Sequence, residues 1–336
     1  MIKLGFIAAF VMSLFLSGCA VSPESSQQTI FAMDTVMSIS VYGGNSDKYT
    51  AEAAAEINRL AAMWSVTDKE SEIYRLNNSG GKPVEVSSET AELISFALEM
   101  GGKTEGTLDI TLYPVLCEWG FTSGEYCIPT DERLGELLKQ RSVPNIDGNN
   151  ITVPDGTEID LGAVAKGYTG DIISAMLKER GVTSALLDLG GNIHAVGSRP
   201  DGSDWRLGIK DPFGEGSIGI LDISGKAAVT SGNYERFFTG EDGKRYCHIL
   251  DPKKGRPVEN ELSSVTIVGD EGRLCDALST ALFVMGKERA TYYWQQNGGF
   301  EMILISDDGD ILCTEGLQGS FSPTDSFNGE LTLLRR

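Results

Sequence analysis

Positive charge and histidine are both scarce in this chain. It carries 28 Lys and Arg against 48 Asp and Glu, a net charge of −20, and only two His in 336 residues. The acidic balance excludes nucleic acid as a partner. Cysteine is sparse and unclustered: six occur, with no Cys-x-x-Cys pair and no Cys/His group, which argues against a zinc site. A Walker motif is missing as well. The loop Asp188-Leu189-Gly190-Gly191-Asn192 lacks the glycine spacing and the following helix of a dinucleotide fold, so P-loop and Rossmann readings both fail. No run is long and apolar enough to span a bilayer.

The start of the chain states an address. Lys3 precedes a short apolar run, Phe6 to Leu16, and Leu16-Ser17-Gly18-Cys19 follows at once. This resembles a bacterial lipoprotein signal, which implies removal of residues 1–18, a lipid on Cys19 and a polar tether over residues 19–28. Lys3 is the only charge in the leader, so the mature chain keeps 27 basic against 48 acidic residues, a net charge of −21. The protein is then expected to be exported and lipid-anchored to a bacterial membrane. Five cysteines remain, so at least one thiol is free, and Cys117 and Cys127 bracket one loop as either a pair or two small side chains.

With 41% apolar residues, the exported part can bury a large core as one domain or two intimately joined ones, and no linker divides it. An alternating run from Ile30 to Tyr42, with Met33-Asp34-Thr35 in its middle, predicts a strand. Asp47 to Trp64, Ser87 to Met100 and Thr130 to Arg141 predict helices, the last N-capped by Thr130. Asn150–Pro154 and Thr157–Ile159 predict a hairpin turned by Asp155-Gly156. Beyond Gly181 the chain is β-rich, with strands expected at 184–189, 192–196, 205–209 and 218–223, and a later hairpin turned by Asp242-Gly243.

Chemistry concentrates in a few patches. Asp160-Leu161-Gly162-Ala163-Val164-Ala165-Lys166-Gly167 reads as a strand-to-helix turn, where small residues, free N–H groups and Lys166 would suit a phosphate. The same eight residues also fit a solvated Lys beside a helix-capping Asp. Trp64 could wall a ring ligand or simply be core. Thr107, Leu108 and Asp109 precede a chain reversal at Pro114 and fit a pocket lining or a turn cap. His194 reads as structural. His248, before an Asp-Pro turn and close in sequence to Ser231-Gly232, reads as a general base or as a satisfied strand residue. Asp276 and Thr280 share a helical face and present two hard oxygens suited to Mg²⁺ or Ca²⁺, too few for a site alone; an N-capping Asp over a buried Thr is the other reading.

Taken together and in order, Asp160–Gly167, Asp188–Asn192, Ser231-Gly232-Asn233-Tyr234, His248-Ile249-Leu250-Asp251-Pro252 and Asp276-Ala277-Leu278-Ser279-Thr280 resemble the bacterial FAD:protein FMN transferases, also called thiamine-biosynthesis lipoproteins. The resemblance runs from about Thr29 to the C-terminus, which makes residues 29–336 the transferase domain. It implies a mixed α+β fold, one two-lobed globular unit with FAD between the lobes and Mg²⁺ on the pyrophosphate. The implied metal ligands are the Ala163 carbonyl, Asp276 and Thr280, with Ser279 where some members carry another oxygen. Implied flavin contacts are Met33, Trp64, Thr107 to Asp109, Asp160, Lys166 and Ile249. Two positions depart from the pattern: Asp34 stands where many members have Gly, and Lys166 matches a position that is acidic in some relatives.

The implied chemistry consumes FAD as a substrate. A Thr or Ser hydroxyl of an exported or membrane-anchored redox protein attacks the FMN-side phosphorus, AMP leaves, and His248 takes the hydroxyl proton. The same residues would also serve a metal-dependent FAD pyrophosphatase, or a flavin-binding lipoprotein without catalysis.

Overall fold

The computed structural model describes residues 24–336. The leader and Cys19 lie outside the described residues. Nine strands form the central sheet: Ser25–Ala32, Thr35–Tyr42, Ser184–Asp188, Asn192–Gly197, Ala227–Gly232, Leu262–Gly269, Phe300–Ser306, Ile311–Thr314 and Leu331–Leu334. Their order across the sheet is their order in the chain. Each neighbouring pair is antiparallel except the last, Ile311–Thr314 beside Leu331–Leu334.

Alternation along the strands divides the core. In Phe300–Ser306, Met302 and Leu304 face one way and Ile303 and Ile305 the other, each set joining a different buried cluster. The second face is covered by a three-stranded sheet of Trp205–Lys210, Ser217–Ile223 and Phe321–Pro323. The first is covered by helices.

Eight α-helices occur among the described residues: α1 (Ser46–Met63), α2 (Glu72–Asn77), α3 (Ser88–Lys103), α4 (Tyr113–Glu118), α5 (Asp131–Gln140), α6 (Ala165–Glu179), α7 (Gly272–Met285) and α8 (Lys287–Gln296). Helices α1, α6 and α7 lie on the sheet, and α6 packs along α7. Leu278, Ala281 and Leu282 of α7 share a core with Val265, Ile267 and Val229 of the strands beneath. Ser87 and Thr130 cap α3 and α5, their hydroxyls accepting from Thr90 N and Arg133 N, each at 3.2 Å. No helix among the described residues is long and apolar enough to cross a membrane.

A smaller core, with Leu112, Val115, Trp119, Leu134, Tyr246 and Leu250, joins α4 and α5 to the hairpins of residues 237–247 and 250–257. Trp119 Nε1 donates to the Gly255 carbonyl at 2.8 Å and ties the two parts of this lobe. The fold is thus one mixed α+β unit with a main body and a side lobe.

Four expectations are corrected. The run from Ile30 to Tyr42 is two strands of a hairpin, turned at Met33 and Asp34 with φ of 47° and 59°. Positive φ at both central residues matches the strand twist, and Asp tolerates it better than most side chains. The first strand begins at Ser25, so Ser25–Gln28 of the expected tether are paired with Ile39–Tyr42; a polar edge strand needs only backbone partners. The hairpin near residue 150 is turned by Gly148-Asn149, joining Asn145–Asp147 to Asn150–Thr152. Thr157–Ile159 form no ladder, because the Asn77 amide donates to the Ile159 carbonyl at 2.9 Å and accepts from its N–H at 2.8 Å. The chain reversal expected at Pro114 is instead the first turn of α4, where no N–H is needed from it.

Candidate functional site

The approach of α6 to α7 sets one corner. A Cβ on Gly167 would overlap the Gly272 carbonyl oxygen and stand 2.7 Å from Asp276 Cβ, so only glycine lets these backbones meet. The Gly167 N–H then donates to Asp276 Oδ2 at 2.8 Å. In a regular turn that donor would close onto the Ala163 carbonyl, which here takes no turn or loop hydrogen bond. Across α7, Ser231 Oγ lies 2.8 Å from Ser279 Oγ and 3.3 Å from Thr280 Oγ1, and Ser279 donates to the Asp276 carbonyl at 2.9 Å. Three hydroxyls thus gather beside α7 one turn on from Asp276, and the Ala163 carbonyl lies one turn before the Gly167 N–H that Asp276 accepts.

Asp276 is buried, and desolvation pushes its carboxyl up. Lys166, the Gly167 N–H and the Asn192 amide hold it down. Such a carboxylate gains from a cation. Among the described residues no three His, Cys, Asp or Glu side chains gather, so a cation here would rest on one carboxylate completed by neutral oxygens. That set fits hard Mg²⁺ or Ca²⁺ and would not suit zinc. Asp276 is not an N-cap, since α7 begins four residues before it. Asp171 of α6 does that work, accepting from Gly272 N at 2.7 Å and Arg273 N at 2.9 Å.

The second corner lies at the side lobe. His248 is half-buried, its backbone N–H donating to the Arg236 carbonyl at 2.9 Å and its Nδ1 3.2 Å from the same oxygen. A carbonyl only accepts, so Nδ1 carries the hydrogen and Nε2 is left with its lone pair. Burial, with Arg236 and Lys166 adding repulsion, lowers its pKa to about 4, and the ring is neutral at pH 7. Phe121 packs edge-on to this imidazole, ring centres 6.5 Å apart.

Lys166 joins the corners. Its Nζ donates to the Gly162 carbonyl at 3.3 Å, and its charge acts on Asp160, Asp276 and His248. Asp160 Oδ1 accepts from Gly162 N at 2.9 Å, and Asp160 does not cap α6, whose N-cap is Val164. Burial raises the Asp160 carboxyl and Asp34 adds to this, against Gly162 N–H, Lys166 and Arg236. Asp34 stands at the hairpin turn, and the Met33 side chain beside it packs against the core.

Other expected residues are placed differently. Trp64 is core: its Nε1 donates to Thr90 Oγ1 at 3.0 Å and its ring packs on Tyr168 at 5.9 Å, so no open aromatic wall exists there. Thr107 and Leu108 are buried, the Thr107 hydroxyl donating to the Thr104 carbonyl at 2.9 Å. Asp109 spends its carboxylate on Thr111 and Arg141. This segment meets the site by its backbone, where Asp160 N donates to the Ile110 carbonyl at 2.8 Å. Ile249 is a core side chain whose carbonyl accepts from Val258 N. Ser231 belongs to the oxygen cluster of α7. Cys117 and Cys127 are separate thiols, and Cys127 Sγ donates to the Glu118 carbonyl at 2.8 Å.

Arg236 and Asn192 were not singled out as site residues. Arg236 stands two residues past Tyr234, where nothing marks an Arg on a loop as special. Asn192 ends a motif whose glycines draw attention first.

Comparisons with known proteins agree on one family. A profile of the ApbE family matches residues 33–304. The chain is 34% identical over 278 residues to an FAD:protein FMN transferase of Klebsiella pneumoniae, covering 80% of this chain and 86% of that protein. It is 32% identical over 337 residues to one from Vibrio cholerae, covering 95% and 98%. Among solved structures, the ApbE protein of Thermotoga maritima matches with a TM-score of 0.83 at 30% identity, over 88% of this chain and 99% of that one. The flavin transferase ApbE of Vibrio cholerae matches at 0.78 and 29% identity, over 91% and 99%.

Proposed function

The chain belongs to the ApbE family, and from that membership we propose that it transfers FMN from FAD to a Thr or Ser hydroxyl of a partner protein through a phosphoester bond, releasing AMP. The observation that carries this reading is the seam of α6 and α7, where the buried Asp276 carboxylate accepts from Gly167 N–H next to three hydroxyls, set against the neutral His248 imidazole of the side lobe. FAD would lie between them.

The residues then divide the work. Ala163 carbonyl, Asp276 and Thr280, with Ser279 and Ser231 beside them, would hold Mg²⁺. A bound Mg²⁺ supplies charge neutralisation on the pyrophosphate oxygens. Lys166 adds a fixed positive charge between the corners, so less reorganisation is needed as charge shifts toward the leaving phosphate. His248 Nε2 accepts the proton of the incoming hydroxyl while the bond from that oxygen to the FMN-side phosphorus forms. The bond from this phosphorus to the bridging oxygen breaks, and AMP departs with the electron pair. His248 keeps one orientation because Nδ1–H is anchored to the Arg236 carbonyl.

A docked hydroxyl has a fixed position that a loosely held water lacks, an advantage that reaches several kcal/mol, on the order of 7 or more in well-oriented systems. Transfer is therefore expected to outrun hydrolysis. The leader supports an exported protein with lipid on Cys19, and acceptors that are themselves exported or membrane-anchored redox proteins.

The test is to incubate the soluble domain with FAD, Mg²⁺ and a candidate acceptor, following acceptor mass and AMP. The acceptor should gain the mass of FMN, and Ala at its target Thr or Ser should remove the gain. Equal AMP release with and without an authentic acceptor, all flavin ending as free FMN, would leave a pyrophosphatase. Tight FAD binding with no AMP at all would leave a flavin carrier.

A further inference from the structure

The loop between α4 and α5 leaves two large apolar side chains in the open, Tyr126 at 47% exposure and Ile128 at 44%. In a chain that is 23% charged, Tyr126-Cys127-Ile128-Pro129 carries no charge at all. The loop is firmly built. Gly120, with φ of 79°, turns the chain back so sharply that a Cβ there would overlap the Glu125 carbonyl. Gly124 N donates to the Gly120 carbonyl at 2.9 Å, and Cys127 N to the Trp119 carbonyl at 3.3 Å.

What this loop presents is the open end of a ring stack. Tyr126 lies on Phe238 with ring centres 4.7 Å apart and planes 11° from parallel, and Phe238 lies on Tyr246 at 5.2 Å and 20°. Ile128 reaches the same hairpin, its Cδ1 3.2 Å from where a Cβ on Gly240 would stand. Phe121 ties the stack to the site. Its ring centre is 5.7 Å from Tyr126, 5.8 Å from Phe238 and 6.5 Å from the His248 imidazole. Arg236 holds both partners of that last contact: its guanidinium donates to the Phe121 carbonyl at 2.9 Å, and its carbonyl accepts from His248 N. Apolar residues scattered singly over a surface are ordinary, whereas this pair is continuous with the imidazole that must meet a protein hydroxyl.

We propose that Tyr126 and Ile128, backed by Phe238, are where the acceptor protein docks, an apolar side chain near its target Thr or Ser packing on them while the hydroxyl reaches His248. The inference rests on the transferase reading, which requires a protein partner beside this imidazole. Through Phe121, two ring contacts leave Tyr126 no farther from the imidazole than an extended segment covers in about four residues. The anchoring side chain therefore lies within about four residues of the target. A ring already held by its stack loses little freedom on binding, so most of the contact appears as affinity. The patch meets the imidazole through Phe121, and it should act on acceptor binding while leaving the chemical step alone.

The experiment uses the soluble domain with FAD and Mg²⁺, and its probe is an acceptor domain that wild type loads with FMN in the mass assay above. Tyr126→Ala and Ile128→Asp are compared with Tyr292→Ala, which removes an exposed ring on α8. Each of the first two should raise the acceptor KM about 5–30-fold, the effect of losing an interface anchor, with kcat, FAD affinity and acceptor-free AMP release near wild type. Tyr292→Ala should change none of these. Unchanged KM in either folded variant overturns the inference and leaves the transferase reading intact, as does an equal rise in Tyr292→Ala. A dimer of this chain that Ile128→Asp dissolves in sedimentation, with acceptor KM unchanged, assigns the patch to a second copy and also overturns it. A wild type that loads no acceptor removes the transferase reading and this inference with it. If the variants do not fold, hydrogen exchange on wild type decides: excess acceptor carrying Ala at its target should slow exchange over residues 121–128, and unchanged exchange there overturns the proposal.

Discussion

Gly167→Ala probes the seam on which the site depends, and helix propensity alone predicts the wrong sign for it. Ala is the better helix former by about 0.5–1 kcal/mol, so the exchange would ordinarily stabilise α6. Here the new methyl would overlap the Gly272 carbonyl and sit 2.7 Å from Asp276 Cβ, well inside an ordinary contact near 3.5–4 Å. The helices must part by about 1 Å. Overpacking of this kind costs about 1–3 kcal/mol, and losing the buried N–H to carboxylate bond costs about 1.5–3 more. The expected loss is about 2.5–6 kcal/mol, or roughly 5–12 °C in melting temperature at some 2 °C per kcal/mol. Gly135→Ala is the internal control: that glycine lies inside α5 with no atom within 4 Å of the added carbon, and should gain about 0.5–1 kcal/mol. Circular dichroism melts of both variants, with Mn²⁺ affinity measured alongside, give the result. A Gly167→Ala protein that melts with wild type, or a Gly135→Ala protein that loses as much, would refute the argument that this contact sets Asp276.

Four further outcomes are expected. Asp276→Ala should lose metal-dependent turnover and a chelator should reproduce the loss; full activity at limiting Mg²⁺ would reject Asp276 as a ligand. His248→Ala should bind FAD normally and transfer FMN about 10²–10⁴-fold more slowly, whereas weakened FAD binding with normal transfer per bound FAD would make the ring structural. The His248 base is the neutral form, present above its lowered pKa of about 4, so kcat/KM should hold from pH 8 to about 5 on its account. A limb centred near 6.5 that vanishes in His248→Ala would contradict that burial. Thr90→Val should leave Trp64 Nε1 buried without its acceptor and cost about 1–3 kcal/mol in urea unfolding, an expectation that fails if Trp64 fluorescence and stability are unchanged.

How much of this was legible in the sequence varies with the distance over which each signal acts. Caps and turns are local, and Thr130, Gly181 and Asp242-Gly243 mark real boundaries. Periodicity found α1, α3 and the strands after Gly181 within a few residues. The short helices α2 and α4 have too few turns to show a period, and the Met33-Asp34 turn was hidden because neither residue advertises positive φ. At the site, Asp160, Lys166, His248, Asp276 and Thr280 stood out by type and spacing. Whether Trp64 or Thr107 offered a free face could not be read, because it depends on Tyr168, Thr90 and Thr104 closing over them. Arg236 acts on groups well away from it in sequence, His248 and Asp160, and Asn192 bonds a nearby His194 whose place is set by the distant helices α6 and α7. No local pattern encodes such meetings.

The charge of the whole chain and the charge of the site have to be reconciled. A chain of net −20 should repel a dinucleotide as it would any polyanion. Around the candidate site the balance is still short of neutral: Lys166 and Arg236 face Asp34, Asp160 and Asp276. A pyrophosphate would add about two more negative charges to that group, in a place where burial has already pushed both Asp160 and Asp276 up. Two side-chain cations cannot balance five anions. A divalent ion at the oxygen cluster comes close to doing so, and it would sit where the carboxylate it needs is already desolvated. This is the physical ground for proposing that FAD and the cation bind together, each weakly alone. FAD affinity measured with and without Mg²⁺ should therefore differ by at least about tenfold in wild type and by little in Asp276→Ala, and equal affinities in wild type would mean that protein charges alone hold the pyrophosphate.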